Sequence, residues 1–290
     1  IDFRILPVFA FLYLLSHVDR TNLGNAKIEG MTADLGLVGN QYNVASTLFF
    51  IPYIIFEIPS NMMLKRVSPH IWLTILVLGW GVVMTLMCVV QNYSGLIACR
   101  IFLGIFEAGF FPGAVYIISS WYIRSELQQR IALLYTASAF SGAFGGLLAF
   151  AISKLNGIGN MAGWRWIFLI EGGVTVAVGL AMPFVIPRSS EKAGWLTDEE
   201  KRFIDCRLRL AGVRATSKEV ESEKFSWRHL SAGLLDWKVN LGVLMAWANA
   251  GPSSAFSFTM PEILTQLGYS STIAQLMTIP PYFCGGVSSY

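Results

Sequence analysis

An all-α membrane protein is what this sequence predicts, and three observations carry the prediction. Apolar residues fill 54% of the 290 positions and charged residues only 13%, a balance well outside that of ordinary soluble domains. Apolar stretches of about 20 residues, the length that crosses some 30 Å of hydrocarbon as a helix, recur along the chain with short polar breaks between them. One break is much longer than the rest, Pro187 to Trp237, and it holds ten of the 21 Lys and Arg residues and nine of the 18 acids.

Eight spans follow from that pattern: Phe3–Ile28, Tyr42–Leu64, Ile71–Val90, Ser94–Trp121, Ile131–Leu155, Trp164–Ile186, Val239–Leu264 and Thr272–Tyr290. Six are closely spaced and two follow the gap, which predicts an N-terminal bundle over residues 1–187, a charged loop over 188–237 and the start of a second bundle over 238–290. The loop alternates in charge, as in "TDEEKRF", and predicts a short amphipathic helix near Asp198–Leu210. The chain opens at Ile1, and its first apolar stretch lacks a small-residue cleavage site, so the stretch is expected to be a retained span. In the short loops Lys and Arg mark the cytoplasmic side. Lys65, Arg66, Arg124 and Arg130 then put the N-terminus and the charged loop in the cytoplasm, against Lys27, Lys154 and Arg165 on the other side.

Composition also narrows the function classes. A net charge of +3 is too small to argue for a nucleic-acid partner. Cys88, Cys99, Cys206 and Cys284 have no paired spacing, and His17, His70 and His229 are scattered, so neither a disulfide framework nor a metal site is expected. The sequence has no Gly-rich nucleotide loop and no nucleophile, base and acid set; no cofactor and no enzyme activity are expected, and no obligate protein partner.

The chemistry lies in charges inside apolar helices. In "LLSHVDRTNLGNA" the uninterrupted apolar run Ile5 to Leu15 reaches only about 16 Å as a helix, half of what a bilayer requires. The helix is therefore expected to continue through Asp19 and Arg20, with Ser16, Asn22 and Asn25 around them. Such groups lose at least a few kcal/mol of hydration each and normally face a partner or a water-filled cavity. The fourth span, "CRIFLGIFEAGFFPGA", supplies partners: Arg100 and Glu107 share one helix face about 10 Å apart, bracketing Asp19 and Arg20 in depth. Two readings of these four residues stand side by side, a cavity lining and a packing network that neutralises itself. Weaker signals surround them. Ser138, Gly142 and Gly146 read as a close-packing face. Glu57 and Glu171 read as cytoplasm-leaning gate or packing residues, Trp164 and Trp166 as an interfacial belt, and His17 as a neighbour able to tune Asp19.

Beyond the residues themselves, "FFIPYIIFEIPSNMMLKR", "RIFLGIFEAGFFPGAVYIISSWY", "GWRWIFLIEGG" and "MPEILTQLGYSSTIAQLMTIPPY" resemble the major facilitator superfamily, and within it the fungal allantoate permease branch of the anion:cation symporter family. The resemblance implies proton-coupled uptake of a small organic anion such as allantoate, ureidosuccinate, nicotinate or pantothenate, at the plasma membrane, through a cavity between two six-helix halves. It implies Asp19 and Glu107 for protons, and Arg20 with Arg100 for the anion; Asn22, one of the polar groups beside them, is a further substrate-binding candidate. Residues around Asn249 and Ser253 would supply the opposite wall. Lys65 and Arg66 stand where the superfamily has its basic loop motif. The family has twelve spans and this chain stops within the eighth, which keeps open a truncated, transport-inactive or receptor-like protein of the same fold. An anion on Arg20 is expected to compete with Asp19 for that cation.

Overall fold

The computed structural model describes residues 1–186, 193–212 and 235–288. Among them every regular element is helical. The first span is α1, Asp2–Ala26, which runs unbroken through Asp19 and Arg20 and widens into a π turn over Lys27–Met31. The second is α2 (Gln41–Leu48) with α3 (Phe50–Arg66), the third α4 (Pro69–Leu86), and the fourth α5 (Tyr93–Glu107) with α6 (Phe110–Ser119). The fifth and sixth are α7 (Arg124–Ser153) and α8 (Gly163–Val185). After α9 (Asp198–Leu210) come α10 (Trp237–Gln266), α11 (Ser271–Met277) and α12 (Ile279–Ser288).

Five segments, the second to the sixth spans, are long and apolar enough to cross a membrane by length and composition alone. The first is outside that set because its 25 residues include Asp2, Arg4, Asp19 and Arg20, so packing between α7 and α8 has to hold it. Three spans expected as single helices have a turn within their run, at Phe49, at Ala108–Gly109 and at Thr278, where the backbone keeps right-handed helical angles. Each break has a proline just beyond it: Pro52, Pro112, and Pro280 with Pro281. A proline has no N–H for the carbonyl four residues back, so the helical ladder loses a rung there.

One apolar core joins the first, third, fourth and sixth spans through Phe9, Leu12, Trp80, Leu103, Phe110 and Phe168. The outward faces stay apolar, with Phe184 and Leu180 exposed toward what would be lipid. The most extensively packed helix pair among the described residues, α4 with α8, meets at Gly172, where a Cβ would run into the Thr85 backbone. Gly142 and Gly146 do pack closely, against the Tyr282 ring and the Gln275 backbone of the eighth span.

The cytoplasm-facing end, as the sequence expects it, is knit by polar contacts. Helix α7 starts seven residues before the expected apolar run, and its cytoplasm-side end is tied to α1: Arg130 donates to Asp2 at 3.0 Å, beside a Tyr122 hydroxyl bond to Asp2 at 2.6 Å. Helix α9 has the predicted bounds. A capping box of Thr197 and Glu200 starts it, and the Thr197 backbone N–H, then its hydroxyl, hold the Glu200 carboxyl below the usual carboxylate range. Its apolar edge, Ile204 and Leu208, is buried, and Arg207 pairs with Glu126. Trp195 stacks on Trp121 at 5.9 Å with Arg4 over its ring, so α9 and the start of α1 share one side of the bundle. The rest of the charged loop, residues 187–192 and 213–234, lies outside the described residues.

One expectation needs correction here. Trp164 is no belt residue: it is 1% exposed and donates its indole N–H to Asp34 at 2.7 Å. The cations on the expected outer side are each engaged, Lys27 with Glu262 at 2.6 Å, Arg165 with the Cys88 carbonyl at 2.6 Å and Lys154 over the Phe150 ring.

Candidate functional site

The intramembrane charges meet. Helix periodicity points Ser16 and Arg20 of α1 the same way, and both reach Glu107 of α5. Ser16 donates to Glu107 Oε1, and the Arg20 Nε donates to the same oxygen at 2.5 Å. Behind Arg20 lie the rings of Phe49 and Tyr53, with the guanidinium carbon 5.3 and 4.9 Å from their centroids. The delocalised guanidinium is weakly hydrated and stacks on aromatic faces, so this cup holds the cation where an ammonium would fit poorly.

Asp19 points elsewhere. It is fully buried, and its Oδ2 accepts the indole N–H of Trp80 at 2.6 Å. Its other neighbour is the carboxyl of Glu171 on α8, within hydrogen-bond reach. Arg100 is 2% exposed, with Nε and one terminal nitrogen lacking a protein partner, and the charges of Glu107 and Asp19 lie near it together with Tyr42. Asn22 is buried and accepts from Asn25 at 3.0 Å.

Of the predicted site residues, the structure thus brings Asp19, Arg20, Asn22, Arg100 and Glu107 into one region. Four corrections follow. The cluster is closed by packing rather than open to a cavity, since Asp19, Arg100 and Glu107 are at most 2% exposed. Arg20 is paired with Glu107 and not with Asp19, because adjacent residues on a helix leave its axis about 100° apart. Glu171 is no cytoplasm-leaning anchor: it lies nearer the Gly163 end of α8, at the depth of Asp19. His17 does not touch Asp19; its Nδ1 meets the Tyr13 carbonyl at 3.1 Å and its ring packs edge-on to Tyr13.

Glu57 is half-buried on α3, Arg66 is exposed at its end, and the side chains of Lys65, Asn249 and Ser253 lie outside the described residues. Sequence reasoning missed Trp80 and the place of Glu171. The signal for Glu171 lies in its spacing: eight residues from Gly163 is about 12 Å along a helix, less than halfway through a span of 23 residues.

Comparison with known proteins agrees with this architecture. The family profile described as Major Facilitator Superfamily matches residues 9–289. The chain is 39% identical over 289 residues to the MFS-type transporter cnsO of Penicillium expansum, covering 97% of this chain and 55% of that one. It is 33% identical over 292 residues to the major facilitator-type transporter hxnP of Emericella nidulans, covering 99% and 58%. Among solved structures, the xylose transporter XylE from E. coli in a partially occluded inward open conformation superposes with a TM-score of 0.72 at 15% identity, over 98% of this chain and 68% of that one. A bacterial homologue of the human lysosomal transporter Spinster, inward-facing and unoccupied, gives 0.69 at 19% identity, over 94% and 57%. The chain spans little more than half the length of the curated relatives it matches. With residues 9–289 matched and an all-helical fold shared with these transporters, the chain is a multi-pass membrane protein and belongs to the major facilitator superfamily.

Proposed function

We propose that the protein is a secondary carrier that moves a small organic anion together with a proton, in the allantoate permease branch of the anion:cation symporter family. Its substrates would be carboxylates of the allantoate, ureidosuccinate, nicotinate or pantothenate type. Relatives named as transporters support the transport class. The observation that carries the anion and proton reading is Arg20, a guanidinium with 20% of its side chain exposed, cupped by two rings and bonded to a carboxyl that is buried.

An anion arriving at Arg20 competes with Glu107 for that cation. A carboxylate that loses its counter-charge inside the membrane holds a proton more readily, so anion and proton favour each other's binding. The proton also cancels the work of moving one negative charge against the membrane potential, about 2.3 kcal/mol per 100 mV. Glu107 and Asp19 are the proton-binding carboxyls in this scheme. Arg20 grips the anion, with Arg100 and Asn22 behind it and Asn249 and Ser253 on α10 opposite. Glu57, Lys65 and Arg66 have a gate or packing role at the cytoplasmic end. Residues 1–187 form the first bundle, 188–237 the cytoplasmic loop and 238–290 the start of the second bundle, with the N-terminus in the cytoplasm and the carrier in the plasma membrane.

The test is uptake of labelled carboxylates into vesicles holding the complete protein under an imposed pH gradient. Saturable accumulation is expected only with an inward proton gradient. Arg20→Lys is expected to weaken anion binding on the order of tenfold, because an ammonium loses the planar fork. Glu107→Gln is expected to abolish accumulation driven by the gradient. Uptake by the unaltered protein that ignores the gradient would overturn the scheme.

A further inference from the structure

The buried cluster does not balance as fixed charges. Three carboxyls, Asp19, Glu107 and Glu171, stand against two guanidiniums, Arg20 and Arg100. Each carboxyl is at most 3% exposed. Arg20 is committed to Glu107 by a direct bond. That leaves one cation, Arg100, for two carboxyls that face each other.

The hydrogen bonds show the same shortfall. Asp19 Oδ2 takes the Trp80 indole N–H, but Asp19 Oδ1 and both oxygens of Glu171 receive no donor from the protein. Two facing carboxylates would place like charges and three unsatisfied acceptors in one dry pocket, which buried polar groups do not tolerate. A single proton removes both problems: it lowers the pair to one negative charge and turns one carboxyl into a donor toward the other. The charged and titratable groups around the pair are few. Trp80 faces it from α4 and Arg100 and Glu107 from α5; Arg20 leaves α1 on the Glu107 side, and between Arg130 and Lys154 the only titratable residue of α7 is Tyr135.

We propose that Asp19 and Glu171 form a carboxyl pair that shares one resident proton, which makes the substrate-free cluster electrically neutral: two guanidiniums, the Glu107 carboxylate, and a pair of net charge minus one. Glu171 is then a proton-holding residue of the site and not a gate. The consequence for transport rests on the symport reading above. Starting from neutrality, one anion on Arg20 leaves one uncompensated negative charge, which one proton on Glu107 cancels, so the carrier takes up one proton per monovalent anion.

Infrared difference spectroscopy on the complete protein in lipid tests the pair without reference to transport. At neutral pH the unaltered protein is expected to show a protonated-carboxyl C=O band from one residue. The band is expected to vanish in Glu171→Gln and in Asp19→Asn, and to persist in the surface control Asp198→Asn. A neutral-pH spectrum of the unaltered protein without that band, or a band indifferent to both amide variants, would overturn the proposal, and the first outcome needs no variant to fold. Proton and labelled-anion fluxes measured in the same vesicles are expected in a ratio of one for a monovalent anion. A band that behaves as expected with no coupled uptake sustains the pair and removes the symport reading; coupled uptake without the band does the reverse.

Discussion

Asp19 and Arg20 are neighbours in the first span yet serve different partners, because adjacent residues leave a helix about 100° apart and a helix long enough to cross hydrocarbon has to carry both inside it. Arg100 and Glu107 followed from helical spacing in the fourth span. What the sequence left open was who pairs with whom, since that depends on how helices far apart in the chain are rotated against each other. Arg20 therefore turned out to belong to Glu107, and Asp19 to Trp80 and Glu171. The same rotation takes His17 away from Asp19 and onto Tyr13. His17→Gln is accordingly expected to leave the pH midpoint of uptake where it is in the unaltered protein. A midpoint displaced by about one pH unit, equivalent to about 1.4 kcal/mol between protonation states, would show that the imidazole does act on the acid.

At the scale of elements, the existence of the spans and the bounds of α9 were legible, because hydrophobic length and a Thr197–Glu200 capping signature are local properties. Breaks at Phe49 and Ala108 were not drawn although Pro52 and Pro112 stood in the sequence, since a proline inside a membrane helix often bends it without interrupting it. Small residues were legible as packing signals but not their partners. Gly172 and Gly173 separate the two uses of glycine on one helix. A side chain at Gly172 meets the Thr85 backbone, whereas Gly173 has nothing within 4 Å. Gly172→Leu is expected to destabilise the α4–α8 crossing by about 3 kcal/mol, the upper end of ordinary overpacking, and Gly173→Leu to be tolerated. Folded yield and the unfolding midpoint in detergent measure both; equal behaviour of the two variants would contradict the crossing described above.

At the scale of the molecule, the first span's far end reaches across to the seventh and eighth. Lys27 pairs with Glu262 on α10, and Gln275 on α11 donates to Glu29 at 3.0 Å. These contacts tie the end of the first span to the seventh and eighth. Both partners of the ion pair are partly exposed, which limits its contribution to about 1 kcal/mol or less. Glu262→Gln is therefore expected to speed labelling of a cysteine placed at Asn25 by no more than about fivefold. Labelling accelerated well beyond that would show that the ion pair contributes more than its exposure allows.

The interrupted second and fourth spans have a mechanical meaning that their sequence positions alone do not suggest. The break at Phe49 falls on a ring that cups Arg20, and the break at Ala108–Gly109 begins one residue after Glu107. Where a rung of the helical ladder is already missing, the rod is compliant, and bending there sacrifices no further backbone bond. The turns at Phe49 and at Ala108–Gly109 thus abut the two ends of the Arg20–Glu107 bond. Helices bend most readily where the ladder is thinned, so the Arg20–Glu107 bond joins the two places at which these spans can bend at least cost.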